Sequence, residues 1–199
     1  MNPRIIFENV CRIAHQYGII FSSDEIKTIA EHTQHKVLPP RTPLMKQGKA
    51  VNALYFLNEG IARLYRIEKG VDYTLGIVSG NHFLSTPLYL QNGQRSSCAL
   101  ETLTEVEVLA WDKKSALTLK QEIPRMYDME MLIMDRLLNW LQDHQIDAIC
   151  MTAEERYKKI MQTQPEVIQQ VPLKYIASLL AIHQDSLSRI RKQLSQKEE

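Results

Sequence analysis

The hydrophobic period of this chain changes twice, and those two changes constrain its fold more than any other feature. Residues 1–36 repeat as helices do, and Phe21-Ser22-Ser23-Asp24-Glu25 supplies an N-cap for a helix reaching about His35. Pro39, Pro40 and Pro43 then exclude helix. From Val37 to about Asp112 the period is two. Leu54-Tyr55-Phe56-Leu57 closes at Asn58-Glu59-Gly60, Ile61 to Ile67 at Glu68-Lys69-Gly70, and Tyr73, Leu75 and Ile77 at Ser79-Gly80-Asn81. Gln91-Asn92-Gly93 reads as one more turn, and Glu105-Val106-Glu107-Val108 alternates cleanly. Short strands ended by Gly or Asn predict an antiparallel sandwich or barrel. After Trp111-Asp112 the helical period returns.

At 199 residues and 23.1 kDa the chain suits one large domain or two modest ones, at ~150 residues per domain. Its 44% hydrophobic and 24% charged residues are those of a protein that buries a core. No stretch approaches the ~20 apolar residues of a bilayer span. The N-terminus reaches Arg4 and Glu8 too soon for a signal peptide. Cys11, Cys98 and Cys150 lie far apart, which argues against disulfides, zinc and iron–sulfur clusters and for a reducing cytoplasm. His32 and His35, three apart, read as two exposed polar residues rather than metal ligands, because no third ligand lies nearby. No metal site is expected.

Asp112 to Lys120 predicts a short helix, and Pro124 opens a long one. Met131, Met134, Leu138 and Leu141 follow 3–4–3 spacing, with Gln145 continuing the register; Ile133, Leu137 and Trp140 form a second apolar face. A helix apolar on two faces is covered twice, here by its own barrel and by the same helix of a second copy. Packing within one domain is the alternative. Thr152 and Glu155 form a capping box that restarts the helix after a hinge near Cys150.

Residues 173–194 place Leu173, Ile176, Leu179 and Leu180 on one face, with small Ala177 where a second helix can approach. A break follows at Ala181-Ile182-His183, and Leu187, Ile190 and Leu194 line one face of the next helix. Its other face carries Gln184, Asp185, Ser188, Arg189 and Lys192. This is the helix-turn-helix pattern, although an ordinary helical hairpin has the same apolar spacing. Gln and Arg suit adenine and guanine edges, and Asp accepts from cytosine. Lys174, Arg189, Arg191, Lys192 and Lys197 face only Asp185 before Glu198 and Glu199, a local basic cluster for phosphate in a chain of net charge +1.

Barrel, long helix, hinge and helix-turn-helix, in that order, resemble the Crp/Fnr family of transcription regulators over essentially the whole chain. Leu54 to Gly60 and Gly80-Asn81-His82-Phe83 resemble its cyclic-nucleotide-binding barrel, residues 124–149 its dimerisation helix, and residues 173–194 its DNA reader. The resemblance implies an α+β fold: a jelly-roll barrel flanked by helices (1–123), a dimerisation helix and hinge (124–150) and a helix-turn-helix domain (151–199). It puts Gln184, Asp185 and Arg189, with Ser188 beside them, at the base-reading positions, and Lys192 and Lys174 on the backbone.

Other residues depart from the family. Where a cyclic-AMP binder has Gly-Glu-Leu, this chain has Ser85-Thr86-Pro87. The phosphate-clamping Arg-Ser pair aligns with Ser96-Ser97, leaving Arg95 displaced by one residue, and a one-residue slip in a strand turns a side chain to the other face. Leu141-Gln142 replaces the Thr-Ser pair that reads the base. Ser85, Thr86, Arg95, Ser96, Ser97, Leu141 and Gln142 are the candidates for an effector pocket, and cyclic AMP is not the expected ligand. Cys11 alone does not make an oxygen-sensing cluster, and His82 reads as a loop residue rather than a heme ligand. Ala181 and His183 stand where the family has Gly and Ser or Thr, and the wing shortens to a helical stretch at Gln164–Gln170.

The leading expectation is therefore a cytoplasmic homodimer that binds a palindromic operator in double-stranded DNA, with Met131, Met134, Leu138, Leu141 and Gln145 at the interface and RNA polymerase as a candidate partner. The alternative is a degenerate member whose barrel binds nothing and which is constitutive or controlled by a protein. A cupin-like metal enzyme ranks third, because residues 37–112 hold one histidine, His82.

Overall fold

A computed structural model describes residues 6–196; Arg4, Lys197, Glu198 and Glu199 lie outside them. Two helices come first, α1 (Glu8–Gln16) and α2 (Ser23–Glu31), the latter started by a complete Ser22–Glu25 capping box. The helix expected to reach His35 ends at Glu31, because Gln34–Leu38 forms strand β1 by pairing with residues 106–110. His32 and His35 consequently sit on different elements, each half-buried against a carboxylate, Glu122 and Glu107 respectively. Among the described residues no group of three His, Cys, Asp or Glu could hold a metal ion.

The strands that follow are β2 (Pro43–Met45), β3 (Ala53–Glu59), β4 (Ile61–Glu68), β5 (Val71–Ser79), β6 (His82–Phe83), β7 (Ala99–Thr102) and β8 (Val106–Asp112). They make two antiparallel four-stranded sheets, ordered β1-β8-β3-β6 and β2-β7-β4-β5, a jelly roll. The first sheet is covered on both faces, so β3 reads as a nearly continuous apolar run. Leu54 and Phe56 pack outward onto helices with Leu109 and Trp111, whereas Leu57 packs inward with Val106 and Val108. Lys69 and Gly70, both at positive φ, make a two-residue hairpin between β4 and β5. The expected turn at Gln91-Asn92-Gly93 is instead the end of helix α3 (Pro87–Asn92), stopped by left-handed Gly93.

Helix α4 (Lys113–Glu122), capped by Asp112, leads into α5 (Met126–Cys150), which runs 25 residues along the barrel. Its inner face buries Met129, Leu132 and Ile133. Farther along, Trp140 crosses β5 at Gly76, where a Cβ would lie 2.5 Å from the indole Cη2. Met151, extended, breaks the helix, and Thr152 with Glu155 caps α6 (Ala153–Thr163). The C-terminal helices are α7 (Pro165–Gln170), α8 (Leu173–Leu179) and α9 (Gln184–Ser195), which share a core of Tyr157, Val167, Val171, Ile176, Leu180, Leu187 and Leu194. No helix among the described residues is long and apolar enough to cross a membrane.

Gly76 is the position where the barrel–helix seam tolerates no side chain. Gly76→Ala should cost about 1–3 kcal/mol through overpacking against Trp140, read as a lower urea midpoint.

Candidate functional site

The polar face of α9 is built from the core upward. Ile176, Ala177 and Leu180 of the first helix bury against Leu187 and Leu194 of the second, which leaves the opposite side of α9 to solvent. Between the helices the backbone closes as a Schellman motif: Ala181 N–H donates to Ser178 O and Ile182 N–H to Ala177 O, both at 3.0 Å. That motif needs a left-handed residue, and Ala181 takes φ +56° to supply it. His183 caps α9 with a long 3.5 Å bond from Asp185 N–H to its Nδ1. Gln184, Asp185, Ser188, Arg189 and Lys192 are all exposed on one stripe at i, i+4 spacing, and Lys174 is exposed on α8. Among the described residues, Arg189 and Lys192 enter no ion pair. The stretch that shortens the wing is helical, as α7.

The long helix exposes a second stripe. Met131, Leu138 and Leu141 are 70%, 60% and 58% exposed, Met134 is half-buried and Gln145 is exposed. Tyr127 extends the stripe by one heptad position and was not anticipated. Ile133, Leu137 and Trp140 turn to the barrel instead.

Between barrel and α5 lies a cavity of about 290 Å³. Leu64, Gly76, Val78 and Leu100 form its apolar floor, and His82, Arg136, Asn139 and Asp143 its polar rim. None of the seven expected effector residues lines it. Ser85 is buried and donates to Ala53 O at 2.9 Å; Thr86 caps α3 by accepting from Tyr89 N–H. Arg95 is exposed and donates to Gly48 O at 3.3 Å. Ser96 is buried against Cys98, and Ser97 is exposed, its carbonyl accepting from Arg66. Leu141 and Gln142 are exposed and sit on α5 between Trp140 and Asp143, which face the cavity, and Leu141 lines the neighbouring crevice toward the hinge. The polar and aromatic side chains that α5 gives the cavity are Arg136, Asn139, Trp140 and Asp143. A larger crevice of about 510 Å³ continues toward the hinge. There His144 stacks on Trp140 at 4.1 Å, and burial holds its pKa below the ordinary imidazole value.

Residues 35–122 match the family described as Cyclic nucleotide-binding domain. That match spans the strands of the barrel and helix α4. No curated protein matches the chain by sequence. Among solved structures, the regulator CLP of Xanthomonas campestris, described as c-di-GMP responsive, is similar at TM-score 0.68 and 18% identity, with 89% of this chain and 93% of that one covered. The catabolite activator protein of Thermus thermophilus is similar at TM-score 0.55 and 19% identity over 94% and 87%. A transcriptional regulator of the crp/fnr family from Eubacterium rectale is similar at TM-score 0.66 and 10% identity over 89% and 85%. Each is described as an activator or regulator and none as an enzyme. The chain therefore shares the fold of these Crp/Fnr proteins: a jelly roll of the cyclic nucleotide-binding kind flanked by helices, a long helix and C-terminal helices.

Sequence reasoning missed Arg63, a buried cation on β4 flanked by apolar neighbours. Its signal was there: a charge alternating with Ile61 and Tyr65 on one face of a strand demands partners once that face is covered.

Ala181 holds a conformation that costs an L-residue ~1 kcal/mol or more. Ala181→Gly should therefore raise stability by roughly 0.5–1 kcal/mol, measured as a higher melting temperature with the fold unchanged.

Proposed function

We propose that the protein is a homodimeric, sequence-specific DNA-binding regulator of transcription of the Crp/Fnr type, not responsive to cyclic AMP. The observation that carries this reading is the exposed stripe of Gln184, Asp185, Ser188, Arg189 and Lys192 on the second helix of a compact helix-turn-helix. A helix presented this way enters a major groove with its N-terminal residues at base edges. Gln184 and Arg189 then make bidentate contacts to adenine and guanine, and Asp185 accepts from cytosine. Lys192 and Lys174 neutralise phosphates and carry the salt dependence of binding.

The exposed apolar stripe of α5 is the dimer seam of this reading, because heptad spacing pairs helices side by side. Two readers one turn of DNA apart then require a palindromic operator. RNA polymerase is the downstream partner in this scheme, and the cytoplasm its site of action. Cyclic AMP is disfavoured because, among the described residues, Arg95 lies outside the cavity and the guanidinium that lines it is that of Arg136 on α5. A second reading, in which the barrel binds no small molecule, is favoured by one observation. Trp140 already occupies the seam at Gly76.

The test is selection of bound sequences from a random duplex library by the purified protein, with and without cell extract. A palindrome recovered in either condition supports the reading; no motif in both overturns it. Arg189→Ala should relax one half-site position at a cost of ~1–3 kcal/mol. Leu138→Glu with Leu141→Glu should yield monomers in sedimentation and abolish palindrome binding while the circular dichroism stays native.

A further inference from the structure

The C-terminal helices are seated on the outer face of β4 and β5 through a junction that DNA reading does not explain. Arg63, 3% exposed, is its centre. The Arg63 Nε donates to Glu101 at 2.7 Å, and its two terminal nitrogens donate to Asp72 at 2.8 and 2.7 Å, with a further bond to Thr74 at 3.1 Å. The carboxylates fix the fork in its plane, so its faces are free to stack. They do so on two rings: Tyr65 of the barrel at 4.1 Å and Tyr175 of α8 at 3.8 Å. Beside the stack, Thr74 N–H, on the open edge of its sheet, donates to Ser178 Oγ of α8 at 2.9 Å. Ile61 and Ile77 complete the contact by joining the apolar core of the C-terminal helices.

A bulge makes this face possible. Leu64 pairs with Gly76 but Tyr65 pairs with Thr74, so Leu75 is the extra residue. Residues opposite one another in a ladder share a face, so the shift sets Thr74 and Asp72 on the side of Arg63 and Ile77, and Leu75 off it.

We propose that this junction is an autoinhibitory latch: the Arg63–Tyr175 stack and the Ser178 cap on β5 park the reader against its own barrel, and tight DNA binding requires undocking. The proposal rests on the DNA-binding reading above. Two observations give the latch its sign. First, α8 is the helix that crosses the phosphate backbone when a helix-turn-helix seats in DNA, and here β5 covers its flank. Second, Lys174 Nζ lies 4.7 Å from the same Tyr175 ring on which Arg63 stacks. The side chain read as a phosphate contact is therefore drawn onto the ring that anchors the docked helix. The joint is small enough to break: one stack, one hydrogen bond and a few apolar contacts.

The test compares the full-length protein with Tyr175→Ala/Ser178→Ala and with Tyr175→Phe, which keeps the ring. Hydrogen exchange at the Thr74 amide reports docking without reference to DNA, and titration of a mixed-sequence duplex at low salt reports binding. The double variant should exchange Thr74 faster and bind DNA about tenfold tighter, the scale of one lost cation–π contact; Tyr175→Phe should match the wild type in both. An unchanged Thr74 amide in the double variant overturns the latch. Faster exchange with equal or weaker DNA binding shows a joint that does not inhibit, and overturns the proposal. Faster exchange with no DNA binding by any of the three proteins overturns the DNA reading itself, and the inhibition with it.

Discussion

A buried guanidinium organises one whole face of the β2-β7-β4-β5 sheet. Burying an unpaired cation would cost several kcal/mol, so Arg63 dictates what surrounds it: Glu101 on β7, Asp72 and Thr74 on β5. Burial alone would lower its pKa, but the hydrogen bonds and charges of both carboxylates outweigh that and leave it raised. Lysine could not replace it, because one ammonium can neither take Asp72 and Glu101 in a planar fork nor stack flat on Tyr65 and Tyr175. The bulge at Leu75 follows from the same requirement, since without it Asp72 and Thr74 would face away from the cation.

Helix α5 carries the second constraint. One side is committed to the barrel through Ile133, Leu137 and Trp140, the other stays apolar and open at Met131, Leu138 and Leu141. The glycine at 76 is what lets the indole approach the strand, and the carboxylate-rich remainder of the helix keeps the rest of its surface wet. A helix held this way cannot rotate to bury its open stripe without withdrawing Trp140 from β5. Among the described residues nothing covers that stripe.

Local chemistry was legible in the residues; chemistry assembled from distant strands was not. The hairpin at Lys69-Gly70 and the Thr152–Glu155 capping box are interactions within a few residues, and each stands where it was expected. The helix read to His35 fails because β1 takes its start from pairing with β8, a partner more than sixty residues away. Gln91-Asn92-Gly93 has the composition of a hairpin turn and also of a helix stop, and Thr86-Pro87 upstream decides for the helix. The loop hydroxyls show the same limit. Thr86 and Ser96 accept from backbone N–H groups of their own loops and Ser85 donates to the carbonyl of Ala53 at the start of β3, so hydroxyls in the right region are not hydroxyls in the cavity. The polar stripe of α9 needed only helical periodicity, which is why Gln184 to Lys192 could be placed from sequence.

Strand β5 joins the cavity to the reader. After the bulge, toward its C-terminal end, Gly76 and Val78 form the cavity floor against Trp140; before it, Thr74 and Asp72 hold Ser178 and Arg63 on the opposite face. A change at the indole therefore acts on the same short strand that seats α8. Such a change shifts the reader only if its cause favours one docking state over the other, and the position of Trp140 is the coordinate on which that preference would be expressed. In the proposed dimer, a small molecule entering the 290 Å³ cavity and a second copy packing on α5 would both act on that residue's helix, and both effects would reach α8 through one strand.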